Sequence, residues 1–231
     1  MKQDTNLSTR NVLLTGGIDH PFEEASTTLV ELLNEIGVES VVTTDVAEAV
    51  EELATADLFT IYACRWRMLD ETPAEPGSVY ELPEQNAETI ENFVEDGGSL
   101  LGLHTACICF DTWYEYKQLL GGVWRQDRSF HPPHGRVEVR PVDNGPRILE
   151  GISAFKLDDE IYHDLDIAPD TRVLLEGRVP DGVWQPIAWT REVGDGRVFY
   201  DALGHDGVSL QHPDHARLLR QGVRWLLKEE G

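Results

Sequence analysis

Apolar positions in the first hundred residues follow two alternating patterns. Residues 11–14 (NVLL), 40–43 (SVVT), 58–63 (LFTIYA) and 99–103 (SLLGL) are short apolar runs flanked by turn residues, which predict buried strands. Between them, residues 22–36 carry Leu29, Leu32, Leu33 and Ile36 at helical spacing, and Gly37 stops that helix. Residues 46–53 predict a short helix and 84–95 an amphipathic one, ended by Gly97 and Gly98. Regular strand–helix alternation predicts an α/β fold with a mostly parallel sheet and helices on both faces.

The pattern changes in the second half. Residues 136–140, 172–175, 187–190 and 198–200 read as short strands separated by Asp, Gly and Pro turns. They extend the sheet or add antiparallel strands to it. A last helix, 213–227, puts Ala216, Leu219, Val223 and Leu226 on one face, suited to docking on the sheet. Residues 70–83 form a Pro-, Gly- and Glu-rich loop of a length that suits a lid or a subunit contact. Without repeats or a low-complexity linker, residues 1–231 read as one domain, with 1–10 a flexible N-terminal segment that has no leader-like apolar run.

Composition narrows the function classes. A hydrophobic content of 41% supports a sizeable core, and no apolar run reaches the roughly 18 residues of a membrane span. The 42 acidic residues outnumber the 19 basic ones and leave a net charge of −23, so nucleic acid is a poor partner and a neutral ligand suits the surface better than a polyanion. The acids are dispersed along the chain, and lysine is confined to Lys2, Lys117, Lys156 and Lys228. That balance points to a cytoplasm adapted to high salt. Cys64, Cys107 and Cys109 are an odd number and give no disulfide framework, which also fits a reducing cytoplasm.

Candidate chemistry is concentrated in histidines at predicted strand ends, where ligands bind in open α/β sheets. His104 follows the fourth strand with small residues around it, at the position of a sharp strand-to-helix turn. Such an imidazole suits general acid–base work or metal ligation, or simply caps the following helix. Downstream come His131-Pro132-Pro133-His134, Asp158-Asp159-Glu160-Ile161-Tyr162-His163-Asp164 and Gly204-His205-Asp206. These clusters bring together imidazoles and carboxylates, the raw material of proton transfer or a metal site, though none has a closed zinc spacing. His20 follows the first strand's turn and can reach the same rim, whereas His212 and His215 read as decoration of the last helix. Cys107-Ile108-Cys109 reads as buried packing. Gly16-Gly17 lacks the rest of a dinucleotide fingerprint. Among Trp113, Tyr114, Tyr116 and Trp124, a ring facing the cleft would offer a stacking surface for a sugar.

The segment Gly97-Gly98-Ser99-Leu100-Leu101-Gly102-Leu103-His104-Thr105-Ala106 resembles the glycine-rich strand-to-histidine segment of the ThuA-like (trehalose utilisation) family. The similarity continues in order through Trp113-Tyr114, Leu119-Leu120-Gly121-Gly122, His131-Pro132-Pro133-His134, Asp159-Glu160-Ile161-Tyr162-His163, Ala188-Trp189-Thr190-Arg191, Gly196-Arg197-Val198-Phe199-Tyr200 and Leu203-Gly204-His205-Asp206. The resemblance implies a class I glutamine-amidotransferase-like, flavodoxin-like fold and a link to disaccharide or keto-sugar metabolism. His104 stands where an amidotransferase needs its nucleophilic cysteine, so glutamine hydrolysis is not expected.

The resulting expectation is a carbohydrate-processing hydrolase, isomerase or lyase with a small-molecule sugar as partner. Its acid–base groups are His104, Glu160, His163, His205 and Asp206, and its substrate contacts are His131, His134, Trp113 and Tyr162. A divalent metal such as zinc would take His104, His134 and His205. The competing expectations are a non-catalytic sugar-binding or assembly module on the same scaffold, and metal-dependent hydrolysis of another small molecule. Self-association into a homo-oligomer is left open.

Overall fold

The computed structural model describes residues 9–67, 80–142 and 147–229. The first half alternates as its apolar pattern requires: β1 (Thr9–Gly17), α1 (Phe22–Asn34), β2 (Val38–Thr43), α2 (Val46–Glu52), β3 (Leu58–Cys64), α3 (Glu84–Glu95) and β4 (Ser99–Leu103). Every residue of β3 and β4 is buried, as central strands covered on both faces must be. The second half contributes α4 (Tyr116–Leu120), β5 (Gly122–Val123), β6 (Gly135–Pro141), β7 (Phe155–Asp159), β8 (Asp166–Ile167), β9 (Arg172–Arg178), β10 (Gln185–Val193), β11 (Gly196–Asp201), α5 (Gly207–Leu210) and α6 (Pro213–Leu226).

Among the described residues, nine strands form one mixed sheet in the order β2-β1-β3-β4-β11-β10-β9-β6-β7, and β5 pairs with β8 outside it. From β2 to β11 the neighbours are parallel; β10, β9, β6 and β7 continue the sheet antiparallel. The later strands therefore both extend the sheet and reverse its direction. Helices form two groups: α1 touches α5 and α6, and α2 touches α3. α6 closes on β4 and β11, and Gly222 permits it, because a Cβ there would lie 2.2 Å from the Phe199 ring.

Some elements depart from the apolar pattern. Thr9 and Arg10, expected in a flexible segment, open β1. β7 is not among the expected strands, and α4, α5, β5 and β8 are too short to leave a periodicity. Most of the loop 70–83 lies outside the described residues, as do residues 1–8. The chain leaves β1 toward β2 on one side and returns to β3 on the other. This change of direction falls at the carboxyl ends of β1 and β3, the place where such sheets bind ligands.

Candidate functional site

β4 delivers its last residue into a tight turn at His104, whose φ of 47° is in the left-handed region. Histidine tolerates that region better than bulky or branched residues, and strain of this kind gathers at functional sites. The turn is tightly built. A Cβ on Gly102 would meet Leu120 Cδ1 at 2.6 Å, and the Tyr200 hydroxyl donates to the His104 carbonyl at 2.7 Å. The His104 ring is fully buried, and its Nδ1 lies 2.6 Å from the Ala202 carbonyl oxygen. A carbonyl can only accept, so Nδ1 carries a proton, and Nε2 of the neutral ring presents a lone pair toward His20 and Tyr162.

Glu160, just beyond β7, is the centre on which the histidines converge. Its Oε2 lies 3.5 Å from His104 Nε2 and 3.9 Å from His20 Nε2. Its Oε1 lies 3.4 Å from His205 Nδ1 and 3.5 Å from His131 Nδ1. His20 Nε2 and the Tyr162 hydroxyl stand 3.1 Å and 2.9 Å from His104 Nε2. Burial opposes charge on Glu160, but a proton carried by the imidazoles of His104, His20 or His205 toward it outweighs that and holds the carboxyl well below the usual range. Contact with Glu160 raises the His205 pKa despite its burial. Burial, reinforced by nearby Cys107 and Glu160, pushes the Tyr162 phenol well above its ordinary value, so it stays a hydrogen-bond donor. His20, His104, Glu160 and His205 each offer a ligand atom, and these atoms lie within 4.8 Å of one another.

A single buried carboxylate braces this arrangement. Asp159 accepts from the backbone amides of Glu160 at 2.7 Å, Gly204 at 2.8 Å and His205 at 3.4 Å, and from the Ser209 hydroxyl. It thus ties the end of β7 to the loop after β11. Behind it, His215 Nδ1 donates to the Ser209 carbonyl at 2.9 Å, and His215 Nε2 lies 3.2 Å from Asp201 Oδ2. His215 is therefore a fully buried ion-pair partner rather than surface decoration of α6. His212 begins that helix without a side-chain cap and stacks on Phe155.

Of the residues singled out in the sequence, His104, Glu160, His205, His131 and Tyr162 come together. His134 stands at the edge, its ring 4.6 Å from that of His205 and its Nε2 3.9 Å from Asp206 Oδ2. Asp206 chiefly caps α5, accepting from the Ser209 amide at 2.8 Å. His163 stacks on Phe130 and exchanges backbone bonds with it, outside the group around Glu160. Trp113 stacks on Tyr116 in the protein's aromatic packing; the indole at the site is Trp124, edge-on to Tyr162. His20, rather than His134, shares the centre with His104 and His205. The signal for it was its place just after β1, two strands from β4 in the sheet. Cys107 is buried, and burial pushes its thiol up to about 12, so no thiolate nucleophile replaces the imidazole at the turn.

A parallel β2-β1-β3-β4-β11 core continued by antiparallel strands, with His104 on the tight turn after β4, defines a mixed-sheet α/β protein. Within that class the chain belongs to the ThuA family, whose model, described as trehalose utilisation, matches residues 11–226. Among solved structures it is similar to a putative ThuA-like protein from Parabacteroides merdae, at 18% identity and a TM-score of 0.74, covering 96% of this chain and 91% of that one. A putative ThuA-like protein from Bacteroides uniformis matches at 18% identity and a TM-score of 0.69, over 96% and 93% of the two chains. A cytoplasmic protein of Salmonella typhimurium LT2 matches at 15% identity and 0.63, over 94% and 97%. These likenesses are of fold. Among curated proteins, none matches. No helix of the described residues is long and apolar enough to cross a membrane.

Proposed function

We propose that this protein is a carbohydrate-processing enzyme that moves protons at a sugar hydroxyl or keto group bound against the Glu160 cluster. Membership of the trehalose-utilisation family supports a carbohydrate-related function broadly. The observation that carries the catalytic reading is the convergence of four imidazoles, from four separate segments, on one buried carboxylate at the sheet's rim. Glu160 fixes negative charge at the centre, with His20, His104 and His205 packed around it. His131 and His134 have partly exposed side chains and are the groups placed to exchange protons with a ligand. The Tyr162 phenol donates a hydrogen bond to oxygen that gains charge. Hydrolysis, isomerisation or elimination beside a keto group all draw on these parts. The dispersed negative charge favours a neutral sugar over a polyanion and supports a salt-adapted cytoplasm as the setting.

The test is product formation from trehalose, other disaccharides and their keto derivatives, followed by NMR. Turnover of at least one of them is expected, falling about 100-fold or more in Glu160→Gln, because the fixed charge that supports the acid–base histidines is lost. Saturable sugar binding with no product from any of them would overturn the enzymatic reading in favour of a sugar-binding module.

A further inference from the structure

We infer that His20, His104, Glu160 and His205 form a binding site for one divalent transition-metal cation. The inference concerns the site just described and rests on reading it as the working centre of the protein. Its argument is a count of donors and acceptors. His104 Nδ1 is committed to the Ala202 carbonyl at 2.6 Å, and His20 Nδ1 to the Ile18 carbonyl at 3.2 Å. In their neutral form both rings therefore point an unprotonated Nε2 inward, and those two nitrogens face each other at 3.1 Å. Glu160 Oε2 adds further negative charge 3.5 Å and 3.9 Å from the same two nitrogens. Among the described residues the one hydroxyl donor to His104 Nε2 is Tyr162, which can satisfy a single lone pair. Glu160 Oε2 and His205 Nδ1 are left without a hydrogen-bond partner among the described residues.

Buried polar atoms without partners require an explanation, and here two of them belong to one cluster of four candidate ligands. One added proton would satisfy one nitrogen and leave the rest unpaired. A cation satisfies them together. The size is right as well: donors bound at about 2.0–2.1 Å in a tetrahedron stand about 3.3 Å apart. The three separations of His20 Nε2, His104 Nε2 and Glu160 Oε2 (3.1, 3.5 and 3.9 Å) bracket that edge. Backbone carbonyls that fix the tautomer of two ligand histidines are the outer partners metal sites ordinarily use. The donor set of imidazoles and one carboxylate selects a zinc-like ion over calcium or magnesium, which prefer all-oxygen sites. His134 is not a ligand in this arrangement; it and His131 stay beside the cation, free for proton transfer.

The experiment is titration of chelator-treated protein with Co²⁺, read by visible absorption and calorimetry, with Zn²⁺ competition. One cation per chain is expected, in a low-symmetry site with strong d–d absorption. His20→Asn and Glu160→Gln are each expected to weaken binding at least about 100-fold, beyond the 10–100-fold typical of outer partners. Both keep side chains of similar size, and circular dichroism establishes that each is folded; His212→Asn, remote from the cluster, is expected to bind as wild type. Absence of stoichiometric binding to the wild type would overturn the site, as would binding that survives in both variants. Sugar turnover by metal-free protein would remove the cation and leave the carbohydrate reading standing.

Discussion

His215 shows how a residue that never touches the Glu160 cluster shapes it. The ring is fully buried between Asp201, 3.2 Å from Nε2, and the Ser209 carbonyl, with Asp159 beyond the Ser209 hydroxyl and His212 on the neighbouring turn. Burial alone would discharge it, but Asp201 and then Asp159 raise its pKa above the ordinary value of 6.5. Because the folded-state value is the higher one, the ion pair's contribution to stability is complete below the unfolded value of about 6.5 and is lost as pH rises through the folded value. Wild type and His215→Gln should therefore differ most in urea-unfolding free energy at pH 6 and below, and the gap should narrow as pH rises. The size expected at low pH is about 3–5 kcal/mol, that of breaking a buried pair and stranding the other charge. A gap that is flat or widens with pH counts against the charged pair. In the sequence His215 looked like one more polar residue on a helix. Its role depends on Asp201 and Asp159, which lie on separate strands, and no spacing along the chain announces that contact.

At the scale of elements, legibility follows length and burial. β3, β4 and α3 are long and strongly patterned, and their limits were readable because fully buried strands and amphipathic helices leave unmistakable apolar signatures. β7 was not. Its alternation of buried Phe155, Leu157 and Asp159 with exposed Lys156 and Asp158 is a regular strand pattern. The buried charge at Asp159 breaks the apolar alternation that would have announced it. The candidate site divided in the same way. That histidines gather at strand ends was visible in one dimension, but their partners depend on sheet order, which puts β11 beside β4 and β1 beside β3. The docking of α6 has a sharper test. Alanine favours a helix over glycine by about 1 kcal/mol, so Gly222→Ala would stabilise an exposed helix. Here its Cβ would lie 2.2 Å from the Phe199 ring, and overpacking of about 1–3 kcal/mol should win. The urea midpoint should fall, and Phe199→Leu in the same chain should recover part of the loss; a raised midpoint would mean the helix yields freely.

For the whole molecule, the charge and the chemistry separate by depth. Asp159, Glu160 and Asp201 are buried and engaged with histidines and backbone amides, whereas acidic groups such as Glu176, Glu192 and Asp170 lie in ion pairs toward the surface. Arginines answer some of that surface charge. Arg140 and Arg178 flank the Trp184 ring at 4.0 Å and 4.5 Å while pairing with Glu176 and Glu138, a use of the planar guanidinium that lysine cannot copy. Such pairs are individually worth little in water, and they leave a net charge of −23 to repel itself over the surface of one folded chain. The unfolded chain spreads the same charge over a larger volume, so repulsion penalises the folded state more. Salt shortens its reach, from about 10 Å at 0.1 M to about 3 Å at 1 M. The melting temperature should therefore climb steeply between 0.1 and 1 M KCl, the range in which the screening length falls below the spacing of surface charges. Chloride is a weakly stabilising anion, so a rise concentrated in that range would reflect screening rather than exclusion of salt from the surface, which keeps strengthening at higher concentration. A melting temperature that is flat or falls with KCl would mean that the surface carboxylates are already compensated, and the salt-adapted setting would have no physical basis.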